Sequence, residues 1–174
     1  MPYFTLVNFD ENEWWVIAGF FLLLSLFLLV PRHFPPVLTF LLLLFNAQLA
    51  ISVDIILGSS FPFNFYDALD TEKYEFFDFI MDSFNYTLIG YFFMYCYDKW
   101  KLRRFLWVFH FLTWIGVSLL LEWISHQLHV YHYHNWHLGY SAVAYFLIFI
   151  VYIIYLKIGK LAYQYFRETK SMKN

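Results

Sequence analysis

Residues 99–125 read KWKLRRFLWVFHFLTWIGVSLLLEWIS. Lys99, Lys101, Arg103 and Arg104 crowd its first six positions, and the run Phe105–Ser125 that follows has no further Lys or Arg. A spanning helix needs about 20 predominantly apolar residues, and basic residues gather at the cytoplasmic ends of such helices. This stretch therefore predicts a membrane span entered from the cytoplasmic face. Trp14–Val30, Val37–Leu57, Phe76–Tyr97 and Tyr140–Leu156 have the same length and character.

The other cations repeat the pattern in alternate gaps. Arg32 lies between the first two runs, and Lys157, Lys160, Arg167, Lys170 and Lys173 follow the last. The second gap holds only Lys73, and the fourth gap and the N-terminal segment hold none. The alternation predicts an all-α integral membrane bundle of five transmembrane helices, N-terminus outside and C-terminus inside. With no repeat, low-complexity tract or linker, residues 1–174 read as one domain. The N-terminal segment offers Asp10, Glu11 and Glu13 where a cleavable signal has cations, so Trp14–Val30 is expected to be a retained span. The connection Pro31 to Pro36 allows only a tight turn, which makes the first two spans antiparallel neighbours.

Composition agrees. A hydrophobic fraction of 61% and a mean hydropathy of +0.54 lie outside the range of ordinary soluble domains. Five spans use nearly the whole chain, so any site must be built from helices and short connections. Cys96 is the single cysteine, which excludes an internal disulfide and a thiolate metal cluster. Eleven of the thirteen carboxylates fall on the expected outer half.

Those acids are the candidates for chemistry. Glu75, Asp78, Asp82 and Asn85 fall within one stripe of roughly 80° on the third helix. Asp82 is expected several ångströms inside the apolar slab, where an ionised carboxylate costs about 2.5–3.5 kcal/mol. Asn46, Ala50 and Asp54 share a face of the second helix and suit a helix–helix contact. Asp54, Asp78, Asp82, Glu122 and His126 occur at similar depth on three helices, and lipid-facing placement would be costly for each of the acids. Convergence on an outward-facing acidic and histidine pocket is the expectation.

Glu122, His126 and His129 are spaced by four and three, which on a continuing helix offers a carboxylate and two imidazoles to a divalent metal such as zinc, manganese or iron. His132, His134 and His137 follow, making five histidines in twelve residues. Tyr131, Tyr133 and Trp136 are interleaved with them, and a loop lying in the headgroup layer would have the same composition. Phe61, Phe63 and Phe65 likewise suggest an interfacial segment with rings turned to lipid, and Asp70 or Thr71 an N-cap for the third helix. His110 lies about 120° round from Glu122 and reads as a core histidine.

Several classes are excluded by missing motifs. There is no His-Glu-x-x-His helix, no phosphate-binding G-x-x-x-x-G-K-[ST] loop and no G-x-S-x-G elbow. There is no His-His pair of the kind that membrane di-iron desaturases use. The cations do not interleave with aromatics on a soluble face, so nucleic acid is not an expected partner.

Between Ile55 and Ser141 the residue order resembles a family of small multi-pass membrane proteins, of unassigned activity, from spore-forming Gram-positive bacteria. The resembling pieces are Ile56-Leu57-Gly58 with Pro62 and Tyr66-Asp67, Glu75 to Asp78, Glu122-Trp123-Ile124-Ser125, and Trp136 with Tyr140-Ser141. The resemblance implies a bacterial plasma-membrane location and carries over no activity or catalytic residue. The leading expectation is a small inner-membrane protein whose pocket binds a cation or proton-coupled solute. The alternatives are a metal-dependent membrane enzyme acting on a lipid or envelope substrate, with Glu122 or Asp82 as base, and a non-catalytic assembly or sensor subunit. The lipid bilayer is an expected partner in each case, and a membrane-protein partner or a second copy in the last.

Overall fold

A computed structural model describes residues 9–58, 63–69, 74, 76–101 and 105–172, with side chains as far as 170. Helix α1 is Glu11–Leu29 and α2 is Pro36–Gly58. Helix α3 is the run Phe76–Ile80, Met81–Tyr86 and Thr87–Lys99, whose middle turn is π-helical. Helix α4 is Phe105–Gln127 and α5 is Leu138–Met172. Two short strands, β1 (Tyr66–Ala68) and β2 (Tyr131–Tyr133), add a small antiparallel ribbon to a fold otherwise built of helices. Glu75 and the expected N-cap at Asp70 or Thr71 lie outside the described residues.

Local sequence explains where the helices begin and end. Asp10 caps α1, its side chain accepting from the Asn12 N–H, while Glu13 reaches back to the Asp10 N–H at 2.7 Å. This reciprocal arrangement satisfies donors that a helix start leaves open. Proline opens α2, where its missing N–H costs nothing. The Asn46 amide of α2 donates to the Thr87 carbonyl of α3 at 3.1 Å, and the Asn85 amide of α3 donates to the Val16 carbonyl of α1 at 3.0 Å. These bonds tie the π-helical region to α2 and α1. The Thr87 hydroxyl donates to the Asp82 carbonyl at 3.1 Å.

Helix α3 runs through the middle and contacts each of the other four helices. One apolar core, including Leu42, Phe93, Met94, Phe149 and Leu156, joins α2, α3, α4 and α5. A second, including Val16, Leu69, Met81 and Val130, lies where α1 and the start of α3 meet the ribbon. At the opposite end, Asp98 receives Lys160 at 2.6 Å and lies 2.8 Å from the His33 ring.

The distribution of polarity is the reverse of a soluble protein's. Leu28, Leu29 and Phe105 are more than 70% exposed, while Asn46, Asp78 and Asp82 are at most 1% exposed. Such an apolar exterior is stable against lipid and costly against water. Helices α1, α2, α4 and α5 are each long and apolar enough to cross a membrane. Helix α3 is not of that kind as an unbroken element, because the π turn divides it and Asp78 and Asp82 lower its apolarity. The chain is a helical, multi-pass membrane protein.

Candidate functional site

A cavity of about 140 Å³ lies among α2, α3, α4 and α5, walled toward one end by the ribbon and Trp136. Asp54 from α2, Asp82 from α3 and Glu122 from α4 all line it. Most of the remaining wall is apolar or aromatic, and no Lys, Arg or His lines it among the described residues. Asp78 is buried one turn from Asp82 and within its electrostatic range, but is not part of the wall.

Each of the three wall carboxylates accepts a hydrogen bond from a tyrosine in the segments at the ribbon end. Tyr66 donates to Asp54 at 2.9 Å, Tyr74 to Asp82 at 2.9 Å, and Tyr133 to Glu122 at 2.6 Å. Burial, followed by the charge of Asp54, pushes the Tyr66 phenol well above its ordinary range. Burial and the bond to Glu122 do the same for Tyr133. These phenols therefore keep their protons and act as donors throughout the neutral range.

Glu122 is the most completely held of the three. Ser141 donates to it at 2.5 Å and Tyr145 at 2.8 Å, besides Tyr133, and the Trp136 indole N–H donates to the Ser141 oxygen at 2.7 Å. Ser141 and Tyr145 are four apart, so they present their hydroxyls from one face of α5. One carboxylate thus fastens α4, α5 and β2 together. Asp82 is held less fully. Its Oδ2 accepts from Tyr74, while its Oδ1 is buried with no hydrogen-bond partner among the described residues.

Two of the histidines, His126 and His134, serve the ribbon. His126 places Nδ1 2.7 Å from the Tyr131 carbonyl, so this nitrogen donates, and its ring stacks on Tyr133 at 4.6 Å. His134 lies 2.6 Å from the Asp67 carboxylate across the two strands. His137 stacks on Tyr140 and accepts the Gly139 N–H. His110 is buried against Phe93, with Nε2 donating to that residue's carbonyl at 3.2 Å.

The expected ligand set of Glu122, His126 and His129 is not assembled. Helix α4 ends at Gln127 in a Schellman turn, in which Val130 N–H bonds the Ser125 carbonyl and His129 N–H the His126 carbonyl. His129 occupies the left-handed position of that turn at φ 58°, where glycine is usual, and is exposed. The spacing of three after His126 is therefore not helical, and His129 leaves the face that Glu122 and His126 share. No group of three His, Cys, Asp or Glu side chains positioned for a metal ion occurs among the described residues.

Sequence reasoning missed the tyrosines and Ser141. Their acid partners are 8 to 23 positions away in the chain and on different elements, so spacing along one helix carries no signal for them. The alternation Tyr131-His132-Tyr133 was the available sign of a strand, and its register with Tyr66–Ala68 puts both terminal tyrosines on the cavity side. Comparison of the chain with protein families, with curated proteins and with solved structures gave no match.

Proposed function

We propose that this chain is a five-span protein of a bacterial plasma membrane, N-terminus outside and C-terminus inside, whose cavity binds a cation or a proton-coupled solute. The observation that carries the functional reading is the meeting of Asp54, Asp82 and Glu122, from three helices, on one cavity wall with no cationic side chain among the described residues. Anionic groups held together inside an apolar slab are costly unless something positive neutralises them. A proton or a larger cation entering from water supplies that charge, which is why the reading covers both a cation and a proton-coupled solute. The metal-enzyme alternative has no ligand set to support it among the described residues.

Two groups of contacts support the topology. The ribbon pairs the second connection with the fourth, the two cation-poor ones, at one end. Asp98 joins His33 of the first connection to Lys160 of the C-terminal segment at the other, where the cations collect. With Cys96 replaced by alanine, a cysteine at Glu11 is expected to react with an impermeant thiol reagent on intact cells, and one at Lys170 only after lysis. The opposite pattern would reverse the orientation.

Binding is tested by thermal melting of the purified chain in maltoside detergent against inorganic and organic monovalent cations at equal ionic strength. At least one cation is expected to raise the melting temperature of the wild type more than that of Asp82→Asn, by about 2.7 kcal/mol of stabilisation when present at roughly 100 times its dissociation constant. If no cation separates the two proteins, the cavity is not a cation site.

A further inference from the structure

We propose that the occupant of the cavity is a small organic ammonium ion, held by Asp82 and Asp54 against the faces of aromatic rings. The inference rests on the reading of the cavity as a cation site and names the class of cation.

Three features separate an organic ammonium from a metal ion. The first is the wall itself. Tyr66, Tyr86, Tyr131, Trp136, Tyr145 and Tyr152 all contribute to it. Aromatic faces attract a cation within about 6 Å of the ring centre, most strongly where water is excluded. Recognition of alkylammonium groups by clustered aromatics follows from this, because the methyl groups spread the charge over a surface large enough to touch several rings.

The second is the supply of oxygen. A hard inorganic cation exchanges its water shell for six or so oxygen ligands. Glu122 has its oxygens engaged by three hydroxyls, and Asp54 and Asp82 each have one oxygen engaged by a tyrosine. The phenols of these bonds have already committed their protons to carboxylates, and no metal-ligating group of three acidic, histidine or cysteine side chains occurs among the described residues. The Oδ1 of Asp82, on a fully buried residue of the wall and without a hydrogen-bond partner among the described residues, leaves one negative oxygen for close charge contact with an ammonium group, whether or not that group carries an N–H.

The third is size. A space of about 140 Å³ is comparable with the roughly 150 Å³ apolar cavity that takes up benzene. It suits an ion of a few heavy atoms with an apolar exterior. The π-helical turn agrees with a site here, since such turns concentrate where a helix is reshaped for function, and it contains both Asp82 and Tyr86.

The test is ligand-observed NMR on the full chain in maltoside micelles, free of choline lipids, following saturation transfer to the methyl protons of tetramethylammonium. Sodium, potassium and the neutral tert-butanol serve as competitors. Tetramethylammonium is expected to bind, Asp82→Asn to weaken it by about tenfold or more, and tert-butanol to compete poorly. Tyr86→Leu, a change at a half-buried ring, should weaken tetramethylammonium by about tenfold and leave sodium or potassium binding unaltered. It also keeps the proposal testable if Asp82→Asn fails to fold. Asp82-dependent effects of sodium or potassium, with none of tetramethylammonium, would overturn the organic identity and leave the cation site standing. Equal binding of tert-butanol and tetramethylammonium, or no Asp82-dependent cation at all, would overturn both.

Discussion

Glu122→Leu is expected to destabilise the chain by about 3 kcal/mol or more, with the ribbon end loosening first. Leucine removes the common acceptor of Tyr133, Ser141 and Tyr145. Each buried donor left without a partner costs about 1–3 kcal/mol, and Ser141 is only 3% exposed. The Trp136 indole loses its fixed partner as well, because the Ser141 hydroxyl is no longer oriented by the carboxylate. Glu122→Gln should cost much less, about 1 kcal/mol. Its amide oxygen still accepts from two hydroxyls, and the Tyr145 hydroxyl can turn to accept from the amide nitrogen. The measurement is thermal melting in detergent, paired with amide hydrogen exchange at Tyr66–Ala68 and Tyr131–Tyr133. Equal losses for Leu and Gln, with no local rise in exchange, would show that Glu122 does not fasten the ribbon.

That arrangement marks the limit of what the sequence makes legible. The apolar runs now seen as α1, α2, α4 and α5 are readable because burial in lipid acts on every residue of a span, so the signal accumulates over some twenty positions. The polar face of Asn46, Ala50 and Asp54 is readable for a related reason: a helix repeats its face every few residues. Its Asn46 does bind α3, at the Thr87 carbonyl. Helix α3 is harder. Whether a backbone widens into a π turn at Met81–Tyr86 depends on where neighbouring amides find carbonyls, and Asn46 and Asn85 reach theirs from contacts made only after packing.

The ribbon is harder still. Strands of three residues leave a single alternation at most, as in Tyr131-His132-Tyr133, and the partners Tyr66 and Tyr133 are joined by a register that no local interval encodes. Phe63 and Phe65 stack on each other at 5.2 Å and Phe65 packs on Trp136 at 5.3 Å, contacts that their alternation does not reveal, while Phe61 lies outside the described residues. His129 shows the opposite failure. Its interval from Glu122 is helical in the sequence, but a histidine can adopt the left-handed conformation that ends a helix, and here it does.

Gly90→Ala is expected to destabilise the protein by about 1–3 kcal/mol, the usual cost of overpacking, although the same change in an unconstrained helix stabilises by roughly 1 kcal/mol. The reversal of sign comes from Tyr152. A methyl group on Gly90 would lie 2.7 Å from the Tyr152 Cζ and 2.8 Å from its hydroxyl oxygen. The ring is 4% exposed and is flanked by Phe93, Phe149 and Phe45, with centroids 6.2–6.5 Å away. Room to move exists on the side of the cavity, whose wall contains both Gly90 and Tyr152. The added methyl should therefore push the phenol into the space assigned to the ligand, so that stability and ammonium binding fall together. Tyr152→Leu removes the atoms that would clash. In that background Gly90→Ala should cost little or become stabilising, giving a coupling of about 1 kcal/mol or more in a double-mutant cycle, within the range seen for residues in contact. Strictly additive losses would mean that the two helices separate as a unit instead, and that the close approach of α3 to α5 is not set by this pair.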